Sequence, residues 1–261
     1  MSDLLGESPS GIEIYSDIAR EFDGVTFAPL DPSEADLSAN PDVFRVRLAR
    51  PRTLRGDASQ LVQRRYEWRG YQTHPVAREP NLYTFAAYNT GVLVGTMGVR
   101  LESEAGLPAD DLYRSEIDKL RAAGHQLAEF TRLAVDEAAP SMEVLGALFH
   151  TAVLYAYRVR RCSHVVIEVN PRHVAFYRRV LYFKQVGEER HLDRVGAPAI
   201  LLELDFAVLN RAVDAFFAQP DWRERSKSFF VHWFSPADAS GVLARLQREE
   251  ADREAHRLAV A

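Results

Sequence analysis

The chain has 261 residues, enough to bury a full core as one large domain or one domain with an extension. With 47% hydrophobic and 26% charged residues and no low-complexity tract, its composition is that of a folded globular protein, not of a disordered or fibrous one. A net charge of −5 argues against nucleic-acid binding, and no apolar stretch approaches the length needed to span a bilayer.

The beginning, Met1-Ser2-Asp3-Leu4-Leu5, turns polar at once and lacks the basic start and apolar run of a signal peptide. Cys162 is the lone cysteine, so no intrachain disulfide can form, and no Cys/His cluster has zinc spacing. The expected location is the cytoplasm and the expected metal is none. Pro, Asp, Ser and Gly at Pro9-Ser10-Gly11, Pro29 and Asp31-Pro32-Ser33 mark residues 1–40 as an arm with little regular structure. A first strand follows, in which Phe44, Val46 and Leu48 alternate with Arg45 and Arg47. Ser59 to Arg69 reads as a helix with Leu61, Val62 and Tyr66 as its inner stripe. Strands Leu82–Tyr88 and Val92–Leu101 flank Asn89-Thr90-Gly91, a turn that favours an antiparallel hairpin.

A charged helix from Asp110 to Ala123 is closed by Gly124, and strand Leu127–Val135 leads to Pro140-Ser141, where Ser141 can cap the next helix. In that helix Leu145, Leu148, Phe149, Ala152, Ala156 and Val159 repeat at helical spacing. Strand Val165–Asn170, a helix from Pro171 to about Leu181, and strand Ala199–Phe206 complete the order, with one or two final strands in all. Beyond Phe206, residues 207–261 carry helix formers and read as an extension packed on the domain. The aromatic run Phe229-Phe230-Val231-His232-Trp233-Phe234 either covers a ligand pocket or packs as core. Charge is uneven: between Arg158 and Arg194, nine Lys/Arg stand against four Asp/Glu. That local excess of +5 is a docking face for an acidic partner or a solvated arginine-rich surface.

The segment Asn170-Pro171-Arg172-His173-Val174-Ala175-Phe176-Tyr177, continuing to Phe183, resembles the strand-to-helix corner of the GNAT acyltransferase superfamily. Glu129-Phe130-Thr131-Arg132-Leu133 is similar to a strand motif shared by acyl-homoserine-lactone synthases and FeeM-type long-chain N-acyl amino acid synthases. The corner, Gly187, Ala197-Pro198-Ala199-Ile200-Leu201-Leu202 and Arg64-Arg65-Tyr66-Glu67-Trp68-Arg69-Gly70-Tyr71 resemble the second group more closely. What this implies is an α/β GNAT fold over residues 41–206, a central twisted mixed sheet flanked by helices. The implied activity is transfer of a fatty acyl group from a thioester to the amino group of an amino acid.

In acyl-CoA-using members a glycine-rich turn after the fourth strand holds the pyrophosphate on its backbone amides. Here that place reads Val135-Asp136-Glu137-Ala138-Ala139-Pro140: two carboxylates repel a phosphate and Pro140 lacks an amide donor. Acyl-phosphopantetheine on an acyl carrier protein is therefore the expected donor, acyl-CoA a poorer one, with no bound cofactor. The chemistry needs a neutral amine and a stabilised oxyanion. Glu129 is the candidate base or amine holder; alternatively it forms a buried ion pair with Arg132. A bulge in this strand, which the resemblance implies, brings Glu129, Thr131 and Arg132 to the cleft together. Arg132 is the candidate ligand for the acceptor carboxylate, or alternatively organises the site from below. The resemblance casts Tyr177 as the acid that protonates the leaving thiolate, with a core aromatic as the alternative. Arg172 and His173 either contact the pantetheine phosphate or face solvent, His173 being also an alternative base, and Asn170 either binds substrate or caps the helix. Two competing readings stay open: an acyl-homoserine-lactone synthase, and a non-catalytic module that binds acyl carrier protein or a lipid.

Overall fold

In the computed structural model the described residues are 45–48, 58, 60–63, 81–89, 92–136, 141–224 and 228–260. The arm at 1–40, most of the predicted helix at 59–69 including Tyr66, and the loop residues 137–140 lie outside them. The helix shows as 60–63, where Leu61 and Val62 are buried against Ala134.

Eight strands form the sheet: β1 (Arg45–Leu48), β2 (Leu82–Asn89), β3 (Val92–Leu101), β4 (Leu127–Val135), β5 (His164–Val169), β6 (Lys184–Gln185), β7 (Arg190–Leu192) and β8 (Ala197–Asp205). Their order is β1-β2-β3-β4-β5-β8-β6, with β7 paired to the start of β8. All neighbours are antiparallel except β4 and β5. This is the mixed sheet expected, and the hairpin falls where Asn89 and Gly91 put it. Three strands, β6, β7 and β8, follow the helix predicted from Pro171, where one or two were expected. Phe206 opens a helix instead of ending β8, because the Asp205 side chain accepts from the Ala207 and Val208 amides as an N-cap.

Helix α1 (Asp110–Ala122) and the turn at 60–63 cover one face of the sheet. Helices α2 (Ser141–Val153), α3 (Val174–Val180), α4 (Phe206–Phe217) and α5 (Pro236–Val260) pack on the other. Two departures from ideal helix refine the expected boundaries. α2 continues as a π-helical stretch, Leu154–Val159, and α3 is preceded by a 3-10 turn, Pro171–His173, as proline at a first turn favours.

The second face is held by close backbone approach and by aromatics. A Cβ at Gly95 would stand 2.6 Å from Val144, and one at Gly146 would stand 2.5 Å from the His232 carbonyl oxygen. Glycine at these places lets α2 sit down on β3 and receive the turn Phe229–His232. The aromatic run 229–234 is therefore packing: Phe229, Phe230, Trp233 and Phe234 are buried in the main core. α5 is fastened by polar groups. The Tyr155 hydroxyl donates to Glu250 at 2.8 Å, Arg160 pairs with the same carboxylate, and the Arg253 guanidinium lies 4.1 Å over the Tyr83 ring. Among the described residues no helix is long and apolar enough to cross a membrane.

Candidate functional site

The site begins where the parallel ladder stops. β4 and β5 pair through Leu127↔His164, Ala128↔Val165 and Glu129↔Val166, yet β4 runs on to Val135 and β5 to Val169. Beyond Glu129 the facing edges form a wedge whose backbone groups are not used by each other. On its other side β4 slips against β3: Gly98 faces Thr131 but Thr96 faces Ala134, so β4 carries one extra residue there. Arg132 occupies that bulge at φ 53°, a left-handed conformation that strains a residue with a Cβ, and the buried Thr96 hydroxyl donates to its carbonyl at 3.2 Å. The bulge is thus present, at Arg132 itself.

Directly opposed residues on antiparallel strands share a face, so Glu129 and Thr131 lie with Arg100 and Gly98 on the α1 side. Burial, and after it the charge of Arg132, holds the half-buried Arg100 guanidinium below its usual pKa, while Glu129 works the other way. The charge of Arg132 thus reaches Arg100, which stands on β3 opposite Glu129.

Glu129 is 1% exposed. Its Oε2 accepts the Ala109 N–H at 2.9 Å, at the N-cap of α1, and its Oε1 stands 4.0 Å from Arg194 Nη2. Burial pushes its pKa up to about 7; the Ala109 amide, Arg194 and Arg100 oppose the rise and Asp110 adds to it. A carboxyl poised there can hold or take a proton near neutral pH. Behind it, Asp110 accepts the Leu107 N–H at 2.7 Å and is gripped by Arg121, which also reaches Glu102, so the start of α1 is fixed.

Sequence reasoning missed two members of this cluster. Arg194, on the turn between β7 and β8, pairs with Glu168 of β5 and donates to the Pro108 carbonyl at 3.2 Å. It links α1's approach, β4 and β5 in one guanidinium. The Glu168 side chain is only 4% exposed, and its Oε1 has no hydrogen-bond partner among the described residues. The available signal was a single carboxylate inside the apolar run Val165-Val166-Ile167-Glu168-Val169.

Tyr177 lies on the opposite face. Phe130, the alternate neighbour of Glu129, packs on Phe149 (6.2 Å between centroids), and Phe149 on Tyr177 (6.0 Å). The Tyr177 ring is half-buried, with Phe176 and Phe183 as further edge-on neighbours. Glu129 and Tyr177 thus stand on the two sides of the sheet that the wedge interrupts. Asn170 has the geometry of a cap: its Oδ1 accepts the Arg172 N–H at 3.3 Å and its Nδ2 donates to the Pro198 carbonyl at 3.4 Å. Arg172 is exposed and its Nε donates to His173 Nε2 at 3.1 Å.

The basic segment divides in two. Arg160, Arg190 and Arg194 are committed to Glu250, Glu116 and Glu168. Arg158, Arg161, Arg172, Arg178, Arg179 and Lys184 remain exposed. Arg178, Arg179 and Lys184 line a groove of about 920 Å³ beside the exposed ring of Tyr182.

The family model of the N-acyl amino acid synthase FeeM matches residues 57–205, more than half of the chain. Among solved structures, FeeM, an N-acyl amino acid synthase from uncultured soil microbes, superposes with a TM-score of 0.60 at 29% identity, covering 66% of this chain and 96% of that one. Arabidopsis thaliana NAA60 in complex with acetyl-CoA gives 0.45 at 18% identity, covering 62% and 98%. Spermidine N-acetyltransferase SpeG from Vibrio cholerae gives 0.45 at 14%, covering 65% and 98%. A search of curated proteins finds none that matches.

Proposed function

The chain belongs to the N-acyl amino acid synthase FeeM family and is an N-acyltransferase, and from that premise we propose that it joins a fatty acyl group from an acyl carrier protein to the amino group of an amino acid. The observation that carries the reading is Glu129, a buried carboxylate at the apex of the β4–β5 wedge whose pKa is pushed up to about 7.

In this reading the acyl-phosphopantetheine arm lies in the wedge, hydrogen-bonding strand edges that have no strand partner there. An acceptor α-ammonium, pKa about 8, loses one proton to Glu129, a transfer between groups of nearly matched basicity. The freed nitrogen lone pair forms the C–N bond at the thioester carbon. The tetrahedral intermediate then expels the thiolate and sheds the second nitrogen proton. Tyr177 gives its phenolic proton to the departing sulfur. One amide, one thiol and one proton to solvent result. Arg132, whose charge reaches Arg100, holds the acceptor carboxylate, and Thr131 lines the same wall.

The carrier is preferred as donor on charge. The Asp136 N–H is already donated to the Val94 carbonyl at 2.8 Å, and Asp136 brings a carboxylate to the end of β4, next to the place where acyl-CoA users carry their pyrophosphate loop. Arg172, Arg178, Arg179 and Lys184 offer exposed cations to an acidic carrier, with Arg172 and His173 nearest the wedge.

The test is mass spectrometry of the organic extract after incubation with a long-chain acyl carrier protein, or acyl-CoA, and all twenty amino acids. An N-acyl amino acid is expected with the carrier, and Glu129→Gln is expected to cut its rate about 100-fold or more. Product with acyl-CoA at equal or greater rate overturns the choice of donor. An unaffected Glu129→Gln variant overturns the choice of base.

A further inference from the structure

Glu129 uses one carboxylate oxygen on the Ala109 amide and leaves the other beyond hydrogen-bonding distance of Arg194. Glu168 uses Oε2 on Arg194, and its Oε1 is buried with no donor among the described residues. A carboxylate oxygen buried without a donor is disfavoured in a folded protein and persists where some other gain offsets it.

The register places these two oxygens in one site. Glu129 pairs with Val166 in the last rung of the parallel ladder, and Glu168 stands two residues further along β5, on the same face as Val166. Glu129 therefore marks the apex of the wedge and Glu168 its facing wall, while a single guanidinium, Arg194, reaches both.

We propose that Glu168 completes the acceptor site: its Oε1 and that of Glu129 together grip the ammonium group of the acceptor, and Arg194 is the positioning residue that sets the gap between the carboxylates. The proposal rests on the reading of Glu129 as the base. Among the described residues the Glu168 Oε1 lacks a donor and the Glu129 Oε1 has none within hydrogen-bonding distance, and a primary ammonium supplies a positive charge with three donors and no acceptor. When Glu129 removes one proton, an N–H stays on Glu168 and orients the lone pair. Arg100 and Arg132 provide the other charge, for a carboxylate. The acceptor class is therefore a free α-amino acid, with neither a simple alkylamine nor an alcohol able to use both halves.

Steady-state kinetics of the full chain test this, with an acyl carrier donor and the amino acid that the wild type uses best. Glu168→Gln is expected to raise the acceptor KM about 10- to 100-fold, the loss of one charge-assisted hydrogen bond. It is expected to lower kcat less than tenfold and to keep the pH limb near 7. The deaminated analogue of the acceptor, used as a competitive inhibitor, is expected to bind Glu168→Gln and wild type alike, because it presents only the carboxylate. Arg194→Lys keeps a cation but cannot span both carboxylates, and is expected to give a smaller rise in the same KM. It serves in place of Glu168→Gln if that variant fails to fold. An unchanged acceptor KM, or equal weakening of amino acid and analogue, overturns the role of Glu168 while leaving Glu129 as base. A wild type that forms no N-acyl amino acid overturns the parent reading and this one together, before any variant is measured.

Discussion

The two faces of the sheet are built on opposite terms. On the α2–α5 face, Phe130, Phe149, Phe206, Phe216, Phe230 and Trp233 pack ring against ring, and the buried His150 stacks on Trp233 among them. On the α1 face a small apolar cluster around Tyr113 and Ile117 is bordered by Glu129, Glu168, Asp110, Arg100, Arg121 and Arg194, charges that burial disfavours. The difference teaches where stability is made and where it is given up: apolar contact on one side supports a set of half-satisfied charges on the other.

Three variants separate these roles, taken from the largest expected effect. Phe230→Ala removes a ring 4% exposed that packs on Phe216 and Trp233. A loss of about 4 kcal/mol is expected in denaturant unfolding, with the acceptor KM of the folded protein unchanged. A stability loss below about 1 kcal/mol would break the contrast.

Glu129→Gln should act in the other direction. Burial lifts its carboxyl from 4.5 in the unfolded chain to about 7, so between those values the folded protein holds a proton that the unfolded chain releases. Wild-type stability therefore falls as pH rises from about 4.5 to 7 and is level above. Gln does not titrate and can still accept the Ala109 N–H. The variant is expected to match wild type near pH 4.5 and to exceed it by about 3 kcal/mol at pH 8, although its activity is lost. Thermal melts across pH read this directly, and a variant less stable than wild type at pH 8 contradicts the view of Glu129 as a costly ionised group.

Tyr155→Phe sharpens the comparison from within the aromatic core, where a fully buried ring carries a hydroxyl. It deletes the 2.8 Å bond to Glu250 and leaves that carboxylate to Arg160. About 2 kcal/mol of stability should be lost, with no change in the kinetic pH profile.

Much of the fold was legible because both patterns that sequence carries were strong here. Alternation marked β1, and the Asn-Thr-Gly turn set the hairpin of β2 and β3. Helical spacing marked α2. β6 and β7 are two and three residues long, too short for any period, and their existence depends on β8 offering an edge. Glu129 and Arg132 were visible as a motif, but the turn of the strand at Arg132 is a backbone event at one residue. Glu168 left a signal as a lone carboxylate in an apolar run, but its pairing with Arg194 was out of reach because the two meet only after β5, β7 and β8 are registered. The arginine-rich segment divides in a way that composition does not show: three of its cations face internal acids and the other six are surface.

The dependence of the site on Arg194 bears on synthesis as well as on chemistry. Glu129 meets the Ala109 amide across 20 residues, Arg194 meets Glu168 across 26, and Arg194 meets the Pro108 carbonyl across 86. A chain emerging from the ribosome therefore carries the β4 and β5 carboxylates long before it carries their shared counter-ion. Until the β7–β8 turn has been made, burying Glu168 means desolvating an anion without its counter-ion, whereas Glu129 already has the Ala109 amide and Arg100. The charged face is thus completed once the β7–β8 turn is made, before Phe206, Phe216, Phe230 and Trp233 emerge to finish the aromatic face. The wedge acquires its counter-ion only when that last hairpin closes over it.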